Sequence, residues 1–128
     1  MDPIADMLTS IRNAQAVLKE TVIFPYSEIK FEIAKILKKE NFVEKIEKKG
    51  RKTRKSIEIK LKYEDKKPAI SSLKRISKPG QRIYTAAGKI RKVRDGYGMA
   101  IISTSKGLMT NKEARKQNMG GEILCEIW

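Results

Sequence analysis

The chain has 128 residues, 29 Lys+Arg against 15 Asp+Glu and no histidine, for a formal net charge of +14. Its 40% apolar content can build a core, which excludes a disordered basic tail, and its charge favours a polyanionic partner, most simply nucleic acid. A single cysteine, Cys125, excludes an internal disulfide and a Cys/His zinc cluster, so neither a metal nor a cofactor is expected.

Asp2-Pro3 opens a helix, with Asp at the cap and Pro at the first helical position. Ile4, Met7, Leu8, Ile11 and Val17 or Leu18 follow at helical spacing, and Thr9, Arg12, Asn13 and Gln15 take the opposite face. A strand, Thr21–Phe24, is stopped by Pro25. Ser27 caps a second helix, where Tyr26 can pack on Phe31 as a hydrophobic staple. Ile29, Ile33, Ile36 and Leu37 form its apolar stripe, Lys30, Lys35, Lys38 and Lys39 lie largely off it, and Asn41 stops it. Phe42–Ile46 is a strand, Lys48–Lys55 a basic hairpin loop around Gly50, and Ile57, Ile59, Leu61 and Tyr63 alternate along a further strand.

The polar segment Glu64-Asp65-Lys66-Lys67-Pro68 marks a boundary, and beyond it the pattern becomes mostly extended. Ile70–Ile76 is expected to be a strand, Pro79-Gly80 the centre of a type II turn, and Gly88–Asp95 a basic connection. Met99–Ser103 and Leu108-Met109 flank a polar tip. Thr110 and Glu113 form a capping box for a short helix reaching about Gln117. A last strand alternates Ile123, Cys125 and Ile127 against Leu124 and Trp128. The class is therefore α+β with two small domains: residues 1–64, α-β-α-β-β, and residues 65–128, mostly β with one short helix. The first holds 15 Lys+Arg against 10 Asp+Glu and the second 14 against 5, so the stronger anion-binding face is expected in the second. No apolar run reaches membrane-spanning length and no signal-peptide pattern opens the chain, so a soluble cytoplasmic protein with no membrane partner is expected.

The tip Ser103-Thr104-Ser105-Lys106-Gly107 concentrates three hydroxyls and an ammonium between apolar strands. Short hydroxyl side chains suit the 2′-hydroxyls and base edges of an irregular RNA helix, and Gly107 lets backbone approach closely. Glu122 cannot favour phosphate, but it can accept from a base amino group or a ribose hydroxyl. Tyr84 either stacks on a base or packs internally. Phosphate candidates are Arg12, Lys30, the Lys48–Lys55 loop, Lys74, Arg75, Lys78, Arg82, Lys89, Arg91, Lys92, Arg94, Lys106, Arg115 and Lys116.

Catalysis finds no support. Ser103 and Lys106 match the S-x-x-K acyl-enzyme motif literally, but that motif opens a helix and requires S-D-N and K-T-G partners, which the chain lacks. No phosphate-binding G-x-x-x-x-G-K-[ST] loop is present, and Gly96 and Gly98 lack the third glycine of a dinucleotide site.

Three motifs together carry a family resemblance: Asp2–Thr9 with Ile11–Ala14; Arg75–Tyr84; and Ile102–Thr110 followed by Ala114–Lys116 and Gly120–Cys125. In order and spacing they resemble the bacterial type of the eighth small-subunit ribosomal protein family, over essentially the whole chain. The resemblance implies a non-enzymatic structural protein of the ribosome that binds the central domain (platform) of 16S ribosomal RNA directly during assembly. It implies neighbouring small-subunit proteins as partners and, as in many bacteria, repression of the protein's own operon through a messenger RNA hairpin. It assigns RNA reading to Thr104, Ser105, Lys106, Gly107, Gly121 and Glu122, and backbone contacts to Arg12, Asn13 and Lys30. No role transfers to the Lys48–Lys55 loop or to residues 85–95, where the family varies. The rivals are a free-standing RNA regulator or chaperone and an enzyme using the Ser–Lys segment.

Overall fold

Helical spacing buries Ile4, Met7, Leu8, Ile11 and Ala14 along one face of α1 (Pro3–Ala16) in the computed structural model, which describes residues 2–128. The stripe ends sooner than the sequence suggests. Leu18 turns into the left-handed region at φ 56°, and Lys19 N donates to Ala14 O at 3.0 Å. Of Val17 and Leu18, one is expected to continue the stripe, but they are 67% and 49% exposed. The chain must reverse there to enter β1 (Thr21–Pro25), and no Gly or Asn marks the stop.

The second helix, α2 (Glu28–Lys39), follows its local signals. The Ser27 hydroxyl accepts from Lys30 N at 3.3 Å, the Tyr26 and Phe31 rings meet at a centroid distance of 6.0 Å, and Asn41 takes φ 63° just beyond the C-cap. Ile33, Ala34, Ile36 and Leu37 are buried, whereas Ile29, in the first turn, is exposed. The following strands are β2 (Val43–Lys49) and β3 (Ser56–Leu61), in an antiparallel sheet of order β1-β3-β2. Because β2 runs to Lys49, Lys48 and Lys49 are strand residues, and the turn begins at Gly50, whose φ of +93° and contact with Arg54 O leave no room for a side chain. Phe24, Val43, Ile57, Ile59 and Leu61 are buried, with α1 packed on β1 and α2 on β2. Two short strands, β4 (Tyr63–Glu64) and β5 (Lys67–Pro68), pair as a hairpin, so the polar segment at 64–68 is itself folded. These elements form one compact unit, Pro3–Ile70.

The second unit comprises Asp2 and Ser71–Trp128. Its strands are β6 (Leu73–Arg75), β7 (Tyr84–Thr85), β8 (Met99–Thr104), β9 (Gly107–Thr110) and, after the short α3 (Asn111–Lys116), β10 (Gly121–Ile127). The sheet order is β6-β10-β8-β9, with β7 also paired to β10. The strand expected over 70–76 shortens to β6, because Ser71 N and Ser72 N both donate to Trp128 O. Pro79-Gly80 does form a turn, but Gly80 is not among the glycines with positive φ, which rules out type II. Lys78 and Gln81 instead exchange backbone hydrogen bonds at 2.9 Å in each direction. The alternation expected in the last strand breaks at a bulge between Ile123 and Cys125, so Leu124 and Cys125 are both buried. Burial pushes the Cys125 thiol up to about 12. The core of this unit gathers Ile90, Val93, Ala100, Ile102, Met109 and Ala114, with Met119, Ile123 and Trp128 against it. The observed class is α+β, as the pattern of elements indicates.

Candidate nucleic-acid interface

The polar tip closes a tight β8–β9 hairpin with Thr104 opposite Gly107. Ser105 and Lys106 form the turn without positive φ, and Gly107 alone is left-handed at φ +104°. The register leaves a two-residue loop, and with no positive φ at Ser105 or Lys106 it is not one of the primed turns usual for that length. The Thr104 hydroxyl donates to Gly107 O at 2.8 Å and accepts from Lys106 N at 3.1 Å. Thr104 therefore braces the tip with the hydroxyl that the sequence reading offered to RNA. The Ser105 side chain is exposed, and its hydroxyl has no protein partner among the described residues. Lys106 and Gly107 are exposed beside it.

Sheet pairing extends this tip into a surface. Ser103 lies opposite Glu122, and Glu122 lies opposite Tyr84. Directly opposed residues share a face, so Tyr84, Glu122 and Ser103 form one transverse row across β7, β10 and β8. Ser105 sits two residues beyond Ser103, in the turn that closes the hairpin. Tyr84 is 69% exposed, so of its two readings internal packing is excluded.

A buried serine positions one end of the row. The Ser77 hydroxyl accepts from Ile83 N at 2.8 Å and donates to Ile83 O at 3.2 Å, while Ile123 N donates to Ile83 O at 2.9 Å. Arg82 and Tyr84, on either side of Ile83, are thereby fixed against β10. Arg82 donates from NH1 to Glu122 Oε2 at 3.0 Å. The carboxylate side chain is only 16% exposed and the guanidinium 49%. The pair holds one carboxylate oxygen and leaves Oε1 without a protein partner among the described residues. It also offsets the one negative charge in the row, which would otherwise repel phosphate.

Gly121 has a structural reason to be glycine: a Cβ there would lie 2.2 Å from Ser103 O. Gly120 is similarly crowded, 2.5 Å from Thr85 O. Lys89, Arg91 and Lys92 rim a hollow of about 230 Å³ that Tyr84 also lines, above Val93, Ala100, Ile102 and Ile123. Besides Arg82, two more phosphate candidates are otherwise engaged. Arg75 donates from Nε to Asp2 Oδ2 at 3.1 Å and from NH1 to Leu124 O, with its side chain only 11% exposed. Arg94 stacks its guanidinium 4.3 Å from the Trp128 ring centroid. In the first unit, Arg12 and Asn13 are exposed on α1, and Lys30 Nζ on α2 donates to Pro25 O at 3.5 Å. Ser103 lies on a strand and Lys106 in a turn, so the S-x-x-K match lacks its helix.

Sequence reasoning missed Ser77, which carries no local signal, and the Arg82–Glu122 pair. Opposite charges 40 positions apart could have suggested that pair only after β10 had been placed beside the 77–85 segment.

Comparison with known proteins covers nearly the whole chain. A family model described as ribosomal protein S8 matches residues 2–128. The chain is 53% identical over 127 residues to the small ribosomal subunit protein uS8 of Mycoplasmopsis pulmonis, covering 99% of this chain and 96% of that one. It is 51% identical over 127 residues to the uS8 protein of Vesicomyosocius okutanii, with 99% and 97% covered. Against the uS8 protein of Persephonella marina it is 52% identical over 135 residues, with 99% and 98% covered.

Proposed function

The chain belongs to the ribosomal protein S8 family, whose members are structural constituents of the small ribosomal subunit, and from that premise we propose that it binds the central domain of 16S ribosomal RNA directly and helps to organise it during assembly. The reading surface is the row Tyr84–Glu122–Ser103 with Ser105 and Lys106 beyond it. One observation carries this: three strands from distant parts of the chain bring an exposed ring, a half-held carboxylate and a hydroxyl onto one face beside a stiff hairpin tip.

Each group has a task that follows from its chemistry. The surrounding cations attract the RNA backbone without specifying sequence. Ser105 donates to or accepts from a ribose hydroxyl or base edge in the shallow groove of an irregular helix. Glu122 Oε1 accepts from a base amino group or a 2′-hydroxyl, and Tyr84 offers a face for stacking. Thr104, Gly107 and Gly121 contribute by fixing the backbone, with Lys106 as the phosphate contact at the tip. A messenger RNA hairpin of the protein's own operon that presented the same shape would bind the same surface, and neighbouring small-subunit proteins are its partners in the assembled particle.

Binding to a central-domain fragment of 16S ribosomal RNA tests this reading. Ser105→Ala is expected to weaken specific binding by about 1–2 kcal/mol, the scale of a lost hydrogen bond, and to leave the salt dependence unchanged. Lys106→Ala is expected to lower the salt slope by about one phosphate contact. Unchanged affinity in the serine variant would remove the tip from the interface. Co-sedimentation with small subunits at high salt separates a ribosomal constituent from a free-standing RNA regulator, which would not remain bound.

A further inference from the structure

The first unit carries a cationic cluster that the tip surface does not use. Lys48 Nζ lies 5.2 Å from the Tyr26 ring centroid and 5.4 Å from that of Phe31. Lys55 Nζ lies 5.8 Å from the Tyr26 ring and Lys35 Nζ 5.4 Å from the Phe31 ring. The backbone ties the parts together, since Tyr26 N donates to Lys55 O at 3.0 Å.

Strand alternation explains how Lys48 comes to be there. It lies opposite Ile57, which lies opposite Phe24, so all three share the helix-covered face. Phe24 and Ile57 are buried, whereas Lys48, near the end of β2, is exposed and carries its ammonium out over the two rings. Lysines on the opposite face of the same sheet are neutralised. Lys49 Nζ is 2.7 Å from Glu58, Lys45 Nζ 2.6 Å from Glu47, and Lys60 Nζ 3.4 Å from Glu44. Lys48 and Lys55 have no carboxylate within ion-pair distance among the described residues, while Lys35 has Glu32 at 2.6 Å.

That difference has a chemical consequence. A lysine held by a carboxylate brings an anion that repels phosphate. A lysine held over a ring face is restrained by the ring quadrupole and keeps its outward N–H groups and its full charge available. We propose that Lys48 and Lys55, held by Tyr26 and Phe31, form a second contact for the phosphate backbone of RNA, separate from the hairpin-tip surface. This inference rests on the reading of the chain as an RNA-binding constituent of the small subunit.

The test uses the full chain and a central-domain 16S ribosomal RNA fragment, with affinity measured from about 50 to about 200 mM salt. Lys48→Met with Lys55→Met keeps apolar stems on the rings and removes both charges. The double variant is expected to lower the slope of log affinity against log salt by about 1.4–1.8, two contacts' worth. Lys48→Arg with Lys55→Arg is expected to retain the slope. It also serves as the folded control if the methionine pair destabilises the unit. An unchanged slope in the methionine pair, with Ser105→Ala still weakening binding, would overturn the second contact and leave the tip reading standing. The same would follow from a slope lost equally in the arginine pair, because charge would then not be what matters. If Ser105→Ala and the methionine pair both left binding unaltered, both contact surfaces would fall; an unsubstituted chain that failed to bind the fragment would overturn the RNA-binding reading itself.

Discussion

A Cβ on Gly121 would come within 2.2 Å of Ser103 O, which is backbone and cannot swing aside. Gly107 differs: nothing lies within 4 Å of its Cβ position, but its φ of +104° strains any other residue. The two glycines should therefore respond differently to alanine. Gly121→Ala must push β10 from β8, at a cost of about 1–3 kcal/mol, and would displace the neighbouring Glu122 from the row. Gly107→Ala should cost about 1–3 kcal/mol in backbone strain while leaving the Glu122–Ser103 pairing in place. Urea denaturation reads both costs. Amide hydrogen exchange along β10 distinguishes them, with faster exchange expected only in Gly121→Ala. Equal protection of β10 in the two variants would contradict the crowding argument. The crowding at Gly121 is not visible in the sequence. The pressure on Gly121 comes from a strand some twenty residues earlier, and only pairing reveals it.

At the scale of elements, legibility follows locality. The capping box at Thr110 forms as written: the Thr110 hydroxyl accepts from Glu113 N at 3.2 Å, and Glu113 Oε1 accepts from Thr110 N at 3.3 Å. The Ser27 cap and the Tyr26–Phe31 staple are equally local and equally plain. Elements decided by remote partners are not. The end of α1 at Ala16, the extension of β2 to Lys49 and the bulge at Leu124 all depend on what the chain meets next. Because α3 has only six residues, its cap should matter more than in a long helix. Thr110→Ala is expected to destabilise the fold by about 1 kcal/mol. A shift in the urea midpoint with unchanged m would report it. Thr110 is also the last residue of β9, opposite Ile101, so the variant should loosen the base of the hairpin without touching Ser105 or Lys106. No change in midpoint would mean that the buried Ala114 and Asn111 hold α3 unaided.

For the whole molecule, charge is the property read most directly from sequence and the one that most shapes the free protein. The polyanionic partner follows from +14 alone, and the α+β class from the order of elements. The proposed reading surface does not, because Tyr84, Ser103 and Glu122 are spread over 39 positions and meet only through β10. Two electrostatic effects oppose each other here. The ion pairs, such as Lys45–Glu47 and Lys49–Glu58, lie at the solvent-facing surface and contribute little each. Self-repulsion among 29 cations against 15 anions acts over the whole surface and opposes the compact state. Salt screens both. At about 0.01 M the screening length is about 30 Å, comparable to a small domain, and at about 0.15 M it is about 8 Å. Long-range repulsion is therefore removed more completely than contacts at 3 to 4 Å. The melting temperature of the RNA-free protein is thus expected to rise as salt increases over that range, while affinity for RNA falls. A melting temperature that fell with salt would show that local pairs outweigh net repulsion. The lysines would then be held mainly by their glutamates, as on the outer face of the first sheet, rather than left poised for phosphate.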